Sequence, residues 1–310
     1  MPSGAVNDDL LERLFFAAPG RLRAGFRLAL FLLAWIVATG PVRGIVGMLT
    51  PTALVPWLTG WFAPAAAAGA TYVLLRRVDE REWHVVALDR VAWRPQAWLA
   101  GLAVGTVAIA VPVGLLVVTG LLARAPGTDG DLASAMVAAA WSFLPAALSE
   151  ELLVRGYPFA VLRDGLGWPA ATAVTSIAFG LLHLGNPGVS AQAIGLVIAA
   201  GIWLAIVRLV TGSLVAAWMA HFAWNWWLAG GFHAPVSGLP FPTPGWRLVD
   251  AGPDWLTGGT WGPEAGLLSA LGMLAGLGVL PWRPFTRRHV AGAPRSTHDG
   301  GPRGRTEHVS

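Results

Sequence analysis

Few side chains able to do acid–base chemistry lie inside the apolar stretches of this chain. Glu150, Glu151 and Arg155 interrupt an apolar run that begins near Leu132, His183 stands near the end of a second run, and His221 and Asn225 share a third. An ionised group in the middle of a membrane helix costs roughly 2.5–3.5 kcal/mol on insertion scales, so an apolar helix that keeps three of them is a site of chemistry or is not buried in lipid. Carboxylates and imidazoles are the groups that take a proton from water or bind a metal ion.

Spacing sorts these residues. Glu151 and Arg155 are four apart and share one helix face, where they can pair. Glu150 lies about 100° further round, at roughly 3.6 residues per turn, and faces something else. His221 and Asn225, again four apart, form one polar stripe, and Phe179 sets an aromatic ring beside His183 by the same spacing. Taken singly, each set has an ordinary reading. The Glu-Glu-Arg group can cap a helix that ends early, His183 can be a packing histidine beside Gly185, and His221 with Asn225 can be interhelical hydrogen-bonding glue.

The elements that must position them are membrane helices. Of 310 residues, 55% are hydrophobic and 12% charged, and a soluble domain carries about 25% charged residues. Several nearly uncharged runs are long enough to cross a bilayer. All 21 basic residues are arginine, and the net charge is +4. The arginines gather in connecting segments and at both ends, which suits membrane orientation rather than nucleic-acid binding. There is no cysteine, which removes disulfides, thiolate nucleophiles and Cys-ligated metals. Acidic Asp8, Asp9 and Glu12 make the start unlike a cleaved signal peptide.

The expected fold is all-α, a polytopic transmembrane helix bundle of about eight spans with both termini cytoplasmic. Residues 1–25 read as an amphipathic lead-in. Residues 26–131 hold spans one (26–49), two (54–75) and three (97–122), with Pro41 and Arg43 disturbing the first. Residues 132–229 are the candidate catalytic core: span four from Leu132 towards Leu162, a turn at 163–167, then spans five (168–184), six (189–210) and seven (213–229). A long Pro/Gly/Trp-rich extracytoplasmic loop follows at 230–263, then a last span at 264–280 and an Arg-rich, disordered cytoplasmic tail at 281–310. With this layout the segments between spans that lie outside hold only Arg43, Arg124 and Arg247, while Arg27, Arg163 and Arg208 count as inside. Trp218, Trp224, Trp226 and Trp227 suit an interfacial belt or packing.

Depth offers an independent check. At roughly 1.5 Å per residue from the cytoplasmic ends, Glu150 lies about 18 Å in, His183 about 22 Å and His221 about 12 Å. In a hydrocarbon core about 30 Å thick the three can meet near its middle.

Three motifs in this order, Glu150-Glu151-x-x-x-Arg155, Phe179-x-x-x-His183 and His221-x-x-x-Asn225, resemble those of the CAAX prenyl protease and bacteriocin-processing family of intramembrane proteases. The resemblance covers about residues 132–228. Val154 departs from it, standing where the family often has an aromatic residue. It implies an intramembrane endopeptidase acting on a membrane protein or peptide substrate in the lipid bilayer, and the Arg-only, Ala/Gly-rich composition points to a bacterial plasma membrane. Glu150 and His183 would activate water, His221 and Asn225 would stabilise the oxyanion, and Glu151, Arg155 and Phe179 would support them. The family is described both as glutamate-dependent and as metal-dependent, so Glu150, His183 and His221 are also a possible three-ligand set for a divalent ion such as Zn2+. The sequence has no His-Glu-x-x-His motif. Two other classes compete: a transporter or proton relay using the same mid-membrane groups, and a non-catalytic membrane scaffold or immunity protein.

Overall fold

The computed structural model describes residues 16–18, 21–51 and 59–280. Most of the lead-in, the first part of expected span two and the whole Arg-rich tail lie outside the described residues. What is described is predominantly helical: α1 (Ala24–Leu49), α2 (Phe62–Arg77), α3 (Pro95–Val118), α4 (Leu132–Glu151), α5 (Tyr157–Leu181), α6 (Ala191–Thr211), α7 (Leu214–Trp226) and α8 (Leu268–Gly278). Four helical segments are long and apolar enough to cross a membrane: Ala24–Leu49, Pro95–Val118, Leu132–Leu182 and Ala191–Thr211.

Helix ends follow local chemistry. Asp131 accepts from the Ser134 amide at 2.9 Å and starts α4, Ser190 accepts from Ala193 at 3.1 Å and starts α6, and Ser213 does the same for α7 through Ala216 at 3.1 Å. The α6–α7 connection is the tight turn expected at Thr211-Gly212, where Gly212 closes α6 in the left-handed conformation at φ 65°. α1 runs unbroken through Pro41, so the proline does not end the helix.

The 51-residue segment Leu132–Leu182 would be about 75 Å long if straight, far more than a hydrocarbon core of about 30 Å. Gly167 breaks it. Its φ of 81° and ψ of 166° are non-helical and open to glycine without a side-chain clash. Between α4 and α5 lies a five-residue π-helical turn, Leu152–Gly156, and a second π turn, Trp227–Gly231, continues α7. Such bulges re-aim the side chains beside them and recur at functional sites.

α7 is central. It packs on α3, α4 and α6, and α3 also holds α8. The α3–α7 approach depends on small residues: a Cβ on Gly105 would stand 2.1 Å from the Ala220 carbonyl oxygen, immediately before His221. Of the two readings of the four tryptophans, the interior contacts fit packing. Trp218 and Trp224 are buried, and the indoles of Trp218 and Trp226 donate to the carbonyls of Leu144 and Met136 on α4.

Two departures concern the segments between spans. The fold is not wholly α: Leu122–Pro126 (β3) pairs antiparallel with Trp246–Asp250 (β4), and a smaller pair joins Phe16–Ala18 (β1) to Arg21–Leu22 (β2). The long 230–263 loop is tied down by β4, by the helical turn Asp254–Thr257 and by two 3-10 turns reaching Ala265. Two arginines counted as inside-loop residues are buried within helices. Arg27 donates to Asp79 at 2.6 Å and to Tyr157 at 3.3 Å, and Arg208 lies over the Phe159 ring at 4.5 Å. Their side chains also fasten helices, because a buried guanidinium needs an acceptor or an aromatic face.

Candidate active site

α4 delivers two adjacent carboxylates at its C-terminal end, and the π turn that follows delivers Arg155. The i, i+4 pair forms: Arg155 Nη1 donates to Glu151 Oε1 at 2.7 Å, with both side chains fully buried. Arg155 Nη2 donates to the Gly201 carbonyl at 3.2 Å, which fixes the π turn against α6. The guanidinium also lies 4.3 Å over the Phe179 ring, a cation–π contact within α5's reach.

Glu151 has a second partner that spacing alone does not reveal. His221 Nδ1 lies 3.0 Å from the same Oε1. A carboxylate bound to Arg155 is an acceptor, so Nδ1 carries a proton, and Nε2 is the nitrogen left for a second partner. Nε2 lies 3.8 Å from Glu150 Oε2. His221 is therefore held between the two adjacent carboxylates, one buried and cation-paired, the other 36% exposed. Among the described residues Glu150 Oε2 has no hydrogen-bond partner.

Phe179 joins the motifs. Its ring meets His183 edge-on at 4.8 Å and His221 edge-on at 5.8 Å, with Arg155 over its face. His183 follows the end of α5, and its Nδ1 lies 2.8 Å from the Phe179 carbonyl. A carbonyl only accepts, so this nitrogen is protonated and Nε2 is the free acceptor. His183, His221 and Asn225 line one narrow cleft together with Phe179, Trp224 and apolar side chains of α6.

The structure thus brings Glu150, Glu151, Arg155, Phe179 and His221 into one connected cluster, sets His183 on its aromatic member and places Asn225 on the shared cleft. A three-ligand metal set does not form: among the described residues no group of three His, Asp or Glu side chains is assembled to hold an ion. The donors are instead turned to partners, Glu150 to His221 and His183 Nδ1 to a carbonyl.

Two cleft residues escaped the sequence reading. Ser237 and Glu264 line the same cleft, and the Glu264 carboxylate receives the Trp224 indole at 3.1 Å. In the sequence Glu264 is the first residue of the last expected span, a position where a carboxylate at a membrane edge is ordinary. The signal for it was faint, an acidic residue opening an apolar run beside a tryptophan-rich loop.

No curated protein and no solved structure matches the chain. The family comparison is positive and local, and it takes in every one of the seven motif residues while leaving out Ser237 and Glu264: residues 132–227 match the Rce1-like family of type II CAAX prenyl endopeptidases.

Proposed function

We propose that the chain is an intramembrane endopeptidase of the CAAX-protease type, which hydrolyses a peptide bond in a membrane-associated protein or peptide. The observation that carries this reading is the placement of His221 between Glu150 and Glu151, with Glu150 Oε2 buried and unpartnered among the described residues. The Rce1-like match over 132–227 supports it and disfavours transport or a purely structural role.

In this mechanism Glu150, assisted by the free Nε2 of His183, takes a proton from water as its oxygen attacks the scissile carbonyl carbon. The Asn225 amide and, in its doubly protonated form, the His221 Nε2–H donate to the oxygen that gains charge. When the C–N bond breaks, the proton held by Glu150 passes to the leaving nitrogen, which leaves a carboxylic acid and an amine. Glu151 takes no proton. It keeps the His221 Nδ1 proton and the ring's orientation in place, and Arg155 and Phe179 hold Glu151 and the ring.

The architecture of this reading is eight crossings with both termini cytoplasmic, in a bacterial plasma membrane. Residues 26–131 form a supporting bundle, 132–229 the catalytic core, and 230–263 an outer segment over the cleft.

The test compares new protein termini in membranes of cells that make the wild-type chain or Glu150→Gln, with and without a chelator. Termini that depend on Glu150 are expected, with cleavage falling by about 10²–10⁴-fold in the variant. The same termini at undiminished yield in Glu150→Gln overturn the proposal. Their loss on chelation in the wild type assigns Glu150, His183 and His221 to a metal instead.

A further inference from the structure

The cleft has a second acidic group that the mechanism does not use. Glu264 Oε1 accepts from the Ser237 amide at 2.5 Å, the Ser237 hydroxyl at 2.8 Å and the Trp261 indole at 3.1 Å. Oε2 accepts one hydrogen bond, from the Trp224 indole at 3.1 Å. All four partners are neutral donors, so the carboxyl group is an acceptor in every contact. Glu264 enters no ion pair among the described residues. Oε1 is saturated and Oε2 is not, since a carboxylate oxygen has room for two donors.

Location makes this more than a structural hub. Glu264 is half-buried and lines the cleft with Asn225 and Trp224. Leu196, Val197, Ala200 and Leu204 of α6 give the same cleft an apolar wall. A carboxylate that keeps acceptor capacity, lacks a cation of its own and borders a low-dielectric cleft is the strongest attractor there for a positive group. The donor it suits is a guanidinium or ammonium on a chain lying in the cleft.

We infer that Glu264 is a specificity-determining residue, receiving a basic side chain of the peptide segment that lies in the cleft beside Asn225. Proteins with an arginine or lysine near the scissile bond are the favoured substrates. This rests on the proteolytic reading but is read by binding rather than cleavage.

The chain has no cysteine, so a single Ala200→Cys on the α6 wall reports cleft occupancy by its rate of maleimide labelling. The full chain, reconstituted in liposomes and carrying Glu150→Gln to stop turnover, is challenged with leucine-rich decapeptides. One arginine is stepped through the peptide, and a matching set carries citrulline, which keeps the shape and removes the charge. At one or two positions arginine should protect the thiol at about tenfold lower concentration than citrulline, the size of one charge-assisted hydrogen bond. In Glu264→Gln that difference should fall to within about twofold. Equal protection by both sets, no protection by any peptide, or a preference that survives Glu264→Gln overturns the inference. Where Glu264→Gln disturbs the fold, the arginine–citrulline comparison at unaltered Glu264 still decides. Undiminished cleavage by Glu150→Gln in cell membranes removes the protease reading alone and leaves the labelling result standing.

Discussion

Glu264 lines the cleft and Glu151 lies buried behind its His221, and the two carboxylates are stabilised in opposite ways. Glu151 stands behind His221, out of solvent, with Arg155 as its counter-charge at 2.7 Å. Glu264 stands in the cleft wall and is held by two indoles, a hydroxyl and an amide, none of them charged. A buried charge with its own cation is complete and serves to position a neighbour. A charge satisfied by neutral dipoles still presents a net field, so it acts on whatever enters the cleft. Asp131, exposed at the N-terminus of α4, extends the series to a carboxylate in water.

The sharpest way to break this contrast is to remove the cation. Arg155→Leu leaves Glu151 buried without its partner, and the expected cost is about 3–5 kcal/mol of stability. Thermal unfolding of the purified chain in detergent measures it. The double variant Glu151→Gln/Arg155→Leu should recover part of that loss, because neither charge is then stranded. A cost below about 1 kcal/mol for Arg155→Leu would mean that solvent reaches the pair and that Glu151 is not the dry anchor described here.

Glu264 calls for the reverse experiment, since it has donors to lose rather than a cation. Trp261→Phe removes one hydrogen bond and also some ring volume. Trp203→Phe is the control: this tryptophan is buried, packs tilted against Trp224 with ring centroids 5.7 Å apart, and its Nε1 has no partner among the described residues. Trp261→Phe should destabilise by about 1.5–3 kcal/mol more than Trp203→Phe, the usual range for a hydrogen bond to a charged group. Equal losses would show that the Trp261 indole packs but does not hold the carboxylate.

The same contrast explains what could be read from the sequence. Glu151 with Arg155, and Phe179 with His183, were legible because helical periodicity turns a spacing of four into a contact. The division at Gly167 and the turn at Thr211-Gly212 were legible from glycine's conformational range. The bond from His221 to Glu151 spans 70 residues, and only the depth argument hinted that the two helices meet. Glu264 reaches Ser237 across 27 residues and Trp224 across 40, through a loop with no periodicity to read. The β3–β4 pairing was hidden for a similar reason, because Leu-Ala-Arg-Ala-Pro shows no alternation of apolar and polar residues. The buried contacts of Arg27 and Arg208 were hidden because a charge count treats arginine as a topological marker and takes no account of a nearby Asp79 or Phe159.

The smallest expected effect belongs to Asp131. The Ser134 hydroxyl, donating at 2.7 Å, and then the Ser134 amide hold its carboxyl below the ordinary aspartate range. The folded value is the lower one, so the ionised cap contributes stability above the unfolded value, and the contribution is lost as pH falls through the folded value. Asp131→Asn keeps an oxygen acceptor for the Ser134 amide but does not titrate. The melting temperature of the wild type should therefore exceed that of Asp131→Asn by a small margin at neutral pH. The margin should close as pH falls below the ordinary aspartate value, and paired melting curves across that window read it. Because Asp131 lies fully in solvent, added salt should also shrink the margin, whereas the Arg155→Leu deficit should persist in salt because the Glu151 pair is buried. A salt-sensitive deficit at Arg155 would place Glu151 with Asp131 among the solvated carboxylates and would leave Glu264 drier than Glu151.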